Sequence, residues 1–255
     1  ERGILMNFEK ILAERKDKVI YKDGDNVVKV FSEKYPKSDV LNEALNHARV
    51  EETGLAIPEI RAVSILDGKW AITLQYIEGK TLQQMMDEDP DNIEKYMNDF
   101  VDLQLQVHSM RAPLLNKQKD KMNRKISSLR DTVSATIRYE LHTRVESMPK
   151  HAKVCHGDFN PSNIIIDSSG KAYIIDWSHA TQGNASADAA RTYLLFSLKQ
   201  PELAEMYMNL FCEKSNTAKQ YVQQWLPIVA ATQMVKGIEE EKELLSKWIN
   251  VVDYE

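Results

Sequence analysis

The chain has 255 residues, 43% hydrophobic and 28% charged, which suits one two-lobed unit or two small domains of an ordinary globular protein. Lys and Arg number 33 against 38 Asp and Glu, a formal net charge of −5, which argues against a non-specific nucleic-acid binder. Nine Gly and eight Pro exclude a collagenous chain, and two cysteines, Cys155 and Cys212, are too few for a disulfide framework or a four-thiolate zinc site.

Short β-rich runs dominate up to about residue 79. Ile11–Ala13 and Val19–Tyr21 are predicted strands. Lys22–Asn26 reads as a hairpin turn, because Asp-Gly and Asn tolerate positive φ, and Val27–Phe31 is the strand after it. One helix interrupts this sheet. Ser38 or Asp39 can cap it, Val40, Leu41, Ala44, Leu45 and Ala48 give it an apolar face, and Gly54 and Pro58 stop it. Ile60–Leu66 and Trp70–Tyr76 are two more strands, joined by an Asp67-Gly68 turn.

After Gly79 the pattern turns helical. Ile93, Tyr96, Met97, Phe100 and Val101 form one stripe, and Met122, Ile126, Leu129, Val133, Ile137 and Leu141 form a second, longer one. Two short strands follow, Ile164–Ile166 and Ala172–Ile175, and from Ala187 the chain reads as helices again. The fold class is α+β: a sheet lobe with one helix over residues 1–77, and a larger helical lobe over 78–255 with a hairpin at its centre.

Chemistry concentrates in His156-Gly157-Asp158-Phe159-Asn160-Pro161-Ser162-Asn163 and Ile174-Ile175-Asp176-Trp177. Phosphoryl transfer from a nucleotide needs one carboxylate to accept or orient the attacking hydroxyl, and further oxygens to hold Mg²⁺ against the phosphates. Mg²⁺ keeps several waters, so one Asp and one Asn suffice on the protein side. Asp158, with four residues between it and Asn163, matches the kinase catalytic-loop spacing, and Asp176 ends the next strand. Read singly, Asp, Asn, Pro, Ser and Gly are plain turn residues; the combination with Asp176 is what points to a site.

These motifs resemble the aminoglycoside phosphotransferase superfamily, which includes choline and homoserine kinases and has a two-lobed protein-kinase-like fold. Its pattern, H-G-D-x-x-x-x-N followed by I-D-W, is met by His156-Gly157-Asp158, Asn163 and Ile175-Asp176-Trp177. The resemblance implies Asp158 as catalytic base, Asn163 and Asp176 as Mg²⁺ ligands, and His156 as a brace for the loop. It also implies that His108 packs under that loop.

A kinase also needs a cation on the nucleotide phosphates, oriented by a helix carboxylate. Lys29 stands in the apolar run Val27–Phe31, costly unless paired; the bland reading is an edge-strand lysine that keeps its ammonium in water. Glu43, Glu51 and Glu52 are available as partners, and the family's interval from this Glu to a Val/Ile-Pro, here Ile57-Pro58, favours Glu43. Val27 shares the strand face of Lys29 and joins the nucleotide-binding set. Leu74-Gln75-Tyr76-Ile77-Glu78-Gly79 resembles the family's hinge, which implies adenine contacts from the Gln75 carbonyl and the Ile77 amide, with Ile165 and Ile175 as an apolar floor. The glycine-rich loop of protein kinases is absent, with Glu14-Arg15-Lys16-Asp17 in its place.

The expected function is an ATP- or GTP-dependent, Mg²⁺-requiring phosphotransferase acting on a hydroxyl of a small molecule: an aminoglycoside, an amino alcohol or a sugar. The alternatives are a kinase-like nucleotide-binding module without turnover and a protein kinase. Only eleven residues separate Asp176 from Asp188 and no Ala-Pro-Glu follows, which favours a small acceptor. Asp188 is expected to cap the following helix. Glu239–Glu241 and Glu243 could meet ammonium groups or form a solvated helix face, Trp177, Trp225 and Trp248 could form an aromatic cage or pack in the core, and His179 could line the site. Free thiols, an opening Glu1–Met6 without a signal-peptide apolar run, and no apolar stretch near the ~20 residues of a bilayer span give the expectation of a cytoplasmic protein with no membrane partner.

Overall fold

A computed structural model describes residues 8–249, so the opening Glu1–Met6 lies outside it. In chain order the elements are β1 (Lys10–Glu14), β2 (Lys18–Asp23), β3 (Asn26–Phe31), α1 (Lys37–Glu51), β4 (Ile60–Leu66), β5 (Lys69–Gln75), β6 (Gly79–Thr81) and α2 (Leu82–Glu88). Then come α3 (Ile93–Ser109), α4 (Gln118–Ser128), α5 (Ala135–Ser147), β7 (Lys153–Cys155), β8 (Ile164–Asp167), β9 (Ala172–Ile174) and β10 (Thr181–Gly183). The chain finishes through α6 (Ala185–Lys199), α7 (Pro201–Ser215), α8 (Lys219–Gln223), α9 (Leu226–Met234) and α10 (Lys242–Ile249).

The chain divides into two compact units. Among the described residues one takes those up to Asp89 and Pro161–His179, the other Pro90–Asn160 and those from Ala180 on. The sequence-based boundary at residue 77 follows the hinge-like run, whereas the compact units divide after Asp89 and give the β8–β9 hairpin to the first unit.

In the first unit an antiparallel sheet runs in the order β1-β2-β3-β5-β4. Its β2–β3 and β4–β5 hairpins turn where the Asp-Gly pairs predicted them. Phe31, Ile72 and Leu74 of the sheet pack with Val40 and Ala44 of α1. The rest of the expected helix face is different. Leu41 and Leu45 are exposed, and α1 instead buries Glu43, Asn46 and His47. Each of these polar groups has an inward partner. Glu43 accepts from Lys29, the Asn46 amide donates to the Ser178 carbonyl, and the His47 Nε2–H donates to the Pro58 carbonyl. Hydrogen-bonding demand, not hydropathy alone, sets the orientation of this helix. The three-stranded sheet β6-β8-β9 belongs to the same unit.

The second unit is helical around Phe100, whose ring meets Phe159 at 4.8 Å, Phe196 at 5.6 Å and Tyr207 at 5.9 Å. The long stripe Met122–Leu141 is carried by two helices rather than one. Ser134 caps α5 by accepting the Ile137 amide, while Leu129 and Val133 stay buried in the turn between α4 and α5. The three-residue strands β6, β7 and β10 carry too few positions to show a period and are not legible from alternation. No helix among the described residues is long and apolar enough to cross a membrane.

Candidate active site

In the first unit Lys29 lies on β3, which is hydrogen-bonded to strands on both sides. Lys29 is therefore an interior-strand residue, 7% exposed, rather than an edge lysine. Its Nζ donates to Glu43 Oε1 at 2.7 Å and stands 3.8 Å from Asp176 Oδ1. Burial works against the charge of Lys29, and Asp176 and Glu43 more than offset it, so its pKa lies above the ordinary lysine value. Of the other two glutamates in contention, Glu51 accepts the Ile60 amide instead and Glu52 is exposed at the C-terminal end of α1.

Asp176 follows β9 with φ of 63°, a left-handed conformation that Asp tolerates when its carboxylate bonds locally. Here Oδ1 accepts the Ser178 hydroxyl at 2.9 Å. The next residues are held from two sides: Trp177 donates its indole N–H to the Ile174 carbonyl, and Asn46 of α1 reaches the Ser178 carbonyl. Asn163 ends a 3₁₀ turn, and its carbonyl accepts the Ile175 amide at 2.9 Å, which ties it to the segment that carries Asp176. The same helix thus orients Lys29 through Glu43 and steadies the chain beyond Asp176 through Asn46.

The remaining first-unit residues lie as follows. Gln75 ends β5, opposite Asn26 of β3, and its side-chain oxygen accepts the Glu59 amide. Ile77 is buried, and Val27, Ile165 and Ile175 are half-buried. His179 is in a 3₁₀ turn after Asp176.

Asp158 belongs to the second unit, and its surroundings are built from α6. Asp188, Arg191 and Thr192 are spaced i, i+3 and i+4, which puts them on one face of that helix. Asp188 accepts the Gly157 amide through Oδ1 at 2.8 Å, the His156 amide through Oδ2 at 3.1 Å, and His108 Nε2–H at 2.9 Å. Burial pushes the Asp188 carboxyl up, but the His108 hydrogen bond and charge, the His156 ring and the Gly157 amide outweigh it, so its pKa lies below the usual carboxylate range. Thr192 donates its hydroxyl to the Phe159 carbonyl at 3.0 Å. Arg191 Nη2 stands 3.9 Å from Asp158 Oδ1. His156, fully buried, accepts the Asp158 amide on Nδ1, and Gly157 takes a φ of 82° that a side chain would disfavour.

Asp188 is therefore an anchor for the loop and not the expected helix cap. The cap of α6 is Asn184, which accepts the Ser186 amide. Sequence reasoning also passed over Arg191, Thr192, Lys121 and Lys125. A polar stripe inside the apolar run from Ala185 to Phe196 was the available signal for the first two. Trp177 and Trp225 are buried core side chains, and Trp248 stacks on Tyr193. Glu239 and Glu243 are exposed and pair with Lys242 and Lys247 on their own segments, and Glu240 is exposed.

The profile of the phosphotransferase enzyme family matches residues 14–223. No curated protein matches the chain by sequence. Among solved structures the chain is similar to a thermostable mutant of aminoglycoside phosphotransferase APH(4)-Ia, with a TM-score of 0.68 and 15% identity over 94% of this chain and 90% of that one. The same phosphotransferase has been solved as a ternary complex with AMP-PNP and hygromycin B. It is also similar to the choline kinase LicA from Streptococcus pneumoniae, with a TM-score of 0.64 and 16% identity over 93% and 90% of the two chains. A choline/ethanolamine kinase family protein from Mesorhizobium loti gives a TM-score of 0.62 and 15% identity over 94% and 83%. At these identities the likeness shows the fold: a protein-kinase-like arrangement of a small antiparallel sheet lobe and a helical lobe.

Proposed function

The chain belongs to the phosphotransferase enzyme family, and on that premise we propose that it moves the γ-phosphate of ATP or GTP to a hydroxyl of a small molecule. The observation that carries this reading is Lys29, a protonated cation inside a sheet, held by Glu43 at 2.7 Å and facing Asp176 at 3.8 Å. A buried ion pair of this kind is weak support for stability, and a phosphate-binding role gives the cost a purpose.

In the reaction, the acceptor oxygen bonds to the γ-phosphorus as the bond from that phosphorus to the β–γ bridging oxygen breaks, and ADP or GDP leaves. Asp158 orients the hydroxyl and takes its proton. Lys29 binds the nucleotide phosphates, and Glu43 holds Lys29 in place. The Gln75 carbonyl and the Ile77 amide take the base edge, with Val27, Ile165 and Ile175 against its faces. The donor set fits Mg²⁺, because Asn163 and Asp176 supply hard oxygens from one hairpin and such an ion keeps waters and phosphate oxygens as its other ligands. When bound, Mg²⁺ neutralises charge on the phosphate oxygens.

The reading is tested by incubating the protein with γ-³²P-ATP, Mg²⁺ and a metabolite extract, then separating small molecules from protein. Label in a new small molecule, absent without the protein, is the expected result. Label released only as inorganic phosphate, or carried only on added protein substrates, contradicts it.

A further inference from the structure

Cations gather around Asp158 beyond those a hydroxyl acceptor requires. Arg191 is 9% exposed; its Nη1 donates to Gln233 Oε1 at 2.6 Å while Nη2 faces Asp158. Lys121 and Lys125 are four residues apart on α4, so they share a face of that helix, and α4 packs on α9. Lys236 follows α9. Lys125 acts electrostatically on Arg191, Lys236 and Asp158, and Lys121 on Lys125, Arg191 and Asp188. These are all second-unit residues.

The facing carboxylates answer this charge only in part, with Asp158 standing 3.9 Å from Arg191. Asp188 is committed to His108 and the loop amides, and Glu241 accepts the Gln233 amide at 2.6 Å. Lys125 is half-buried yet has no hydrogen bond or ion pair to its ammonium among the described residues. Burial first, then Arg191 and Lys236, lowers its pKa to about 8, and burial with Lys125 and Arg191 lowers that of Lys121 to about 7. The Lys125 ammonium is thus short of a negative partner, and an incoming anion would supply one.

We infer that the acceptor carries an anionic group, a carboxylate or a phosphate, which Lys125 and Arg191 seat beside Asp158. This deepens the phosphotransferase reading and rests on it. A polycationic acceptor would bring like charges onto Lys125 and Arg191, an arrangement that disfavours binding.

The test fractionates a metabolite extract by ion exchange into cationic, neutral and anionic pools. Mg²⁺-dependent ADP and GDP release is then measured on each pool with wild type, Lys125→Gln and Lys125→Arg. Stimulation by the anionic pool is expected. With the purified stimulating compound, Lys125→Gln should raise the acceptor KM roughly 10- to 100-fold, with less than about a twofold change in nucleotide KM, and Lys125→Arg should restore most of it. Carboxylate and phosphate acceptors are told apart by phosphatase treatment of the pool, which destroys only the second. Stimulation confined to the cationic or neutral pool overturns the inference and leaves the phosphotransferase reading standing. A nucleotide KM that rises in Lys125→Gln while the acceptor KM does not would also overturn it, because the lysine then serves the nucleotide phosphates. No stimulation by any pool, with nucleotide-induced thermal stabilisation intact, overturns both.

Discussion

Asp188 Oδ1 accepts the backbone N–H of Gly157 at 2.8 Å from 31 positions further along the chain, so a carboxylate on α6 fixes the backbone immediately before Asp158. The same carboxylate takes the His156 amide and the ring of His108. Three donors on one buried carboxylate leave the loop little freedom, and Asp158 inherits that rigidity.

Asp188→Asn is expected to destabilise the protein by about 3 kcal/mol, the scale seen when one partner of a buried charged network is lost. The pH dependence follows from the depressed pKa of Asp188. Its stabilising effect is fully present above the ordinary carboxyl value of 3.8 and is lost as pH falls through the lower folded value. Urea unfolding from neutral to acid pH should show a shallower acid limb in the variant than in wild type. Identical acid limbs would show that Asp188 carries no such linkage.

Glu43→Gln removes the 2.7 Å partner of Lys29 and leaves Asp176, at 3.8 Å, as its remaining ion pair among the described residues. Nucleotide affinity should fall roughly tenfold or more, because the ammonium is no longer aimed. Titration with a fluorescent nucleotide reads this directly. Glu51→Gln is the comparison: Glu51 accepts the Ile60 amide, so its loss should leave nucleotide affinity within about twofold. Equal effects of the two changes would remove Glu43 from its role.

Gly79→Ala tests the join between the hinge-like run and the β8–β9 hairpin. A Cβ at Gly79 would lie 2.2 Å from the Ile166 carbonyl oxygen, a backbone atom that cannot swing aside. The expected loss is about 2 kcal/mol or more, read as a shift of the urea midpoint. An unshifted midpoint would mean that β6 can part from β8 without cost.

The legible parts of this fold are those in which one physical signal dominates. The Asp-Gly turns and the apolar strands of the first sheet follow from period and turn chemistry, and Lys29 stood out because a lysine in an apolar strand needs an explanation. Helix α1 is the counterexample. Its apolar face by period includes Leu41 and Leu45, but the buried face joins Glu43, Asn46 and His47 to Val40 and Ala44, each polar group answering a donor or acceptor outside the helix. Asp188 shows the same limit. A position in the first turn of α6 suits a dipole or capping role, and only the returning loop reveals that the carboxylate serves the amides of His156 and Gly157 instead. Lys121 and Lys125 look like solvated charges on a polar helix until α9 packs on that helix and Arg191 adds its charge.

The most direct test of the account compares wild type with Asp158→Asn, a change that keeps size and removes the carboxylate. Two quantities are measured side by side: acceptor-stimulated, Mg²⁺-dependent ADP or GDP release, and the thermal stabilisation produced by the nucleotide. The account predicts a fall in release of about 10²- to 10⁴-fold, the range expected for loss of a general base, with nucleotide stabilisation unchanged. Release near the wild-type rate, or loss of nucleotide binding in a variant that remains folded, would contradict it.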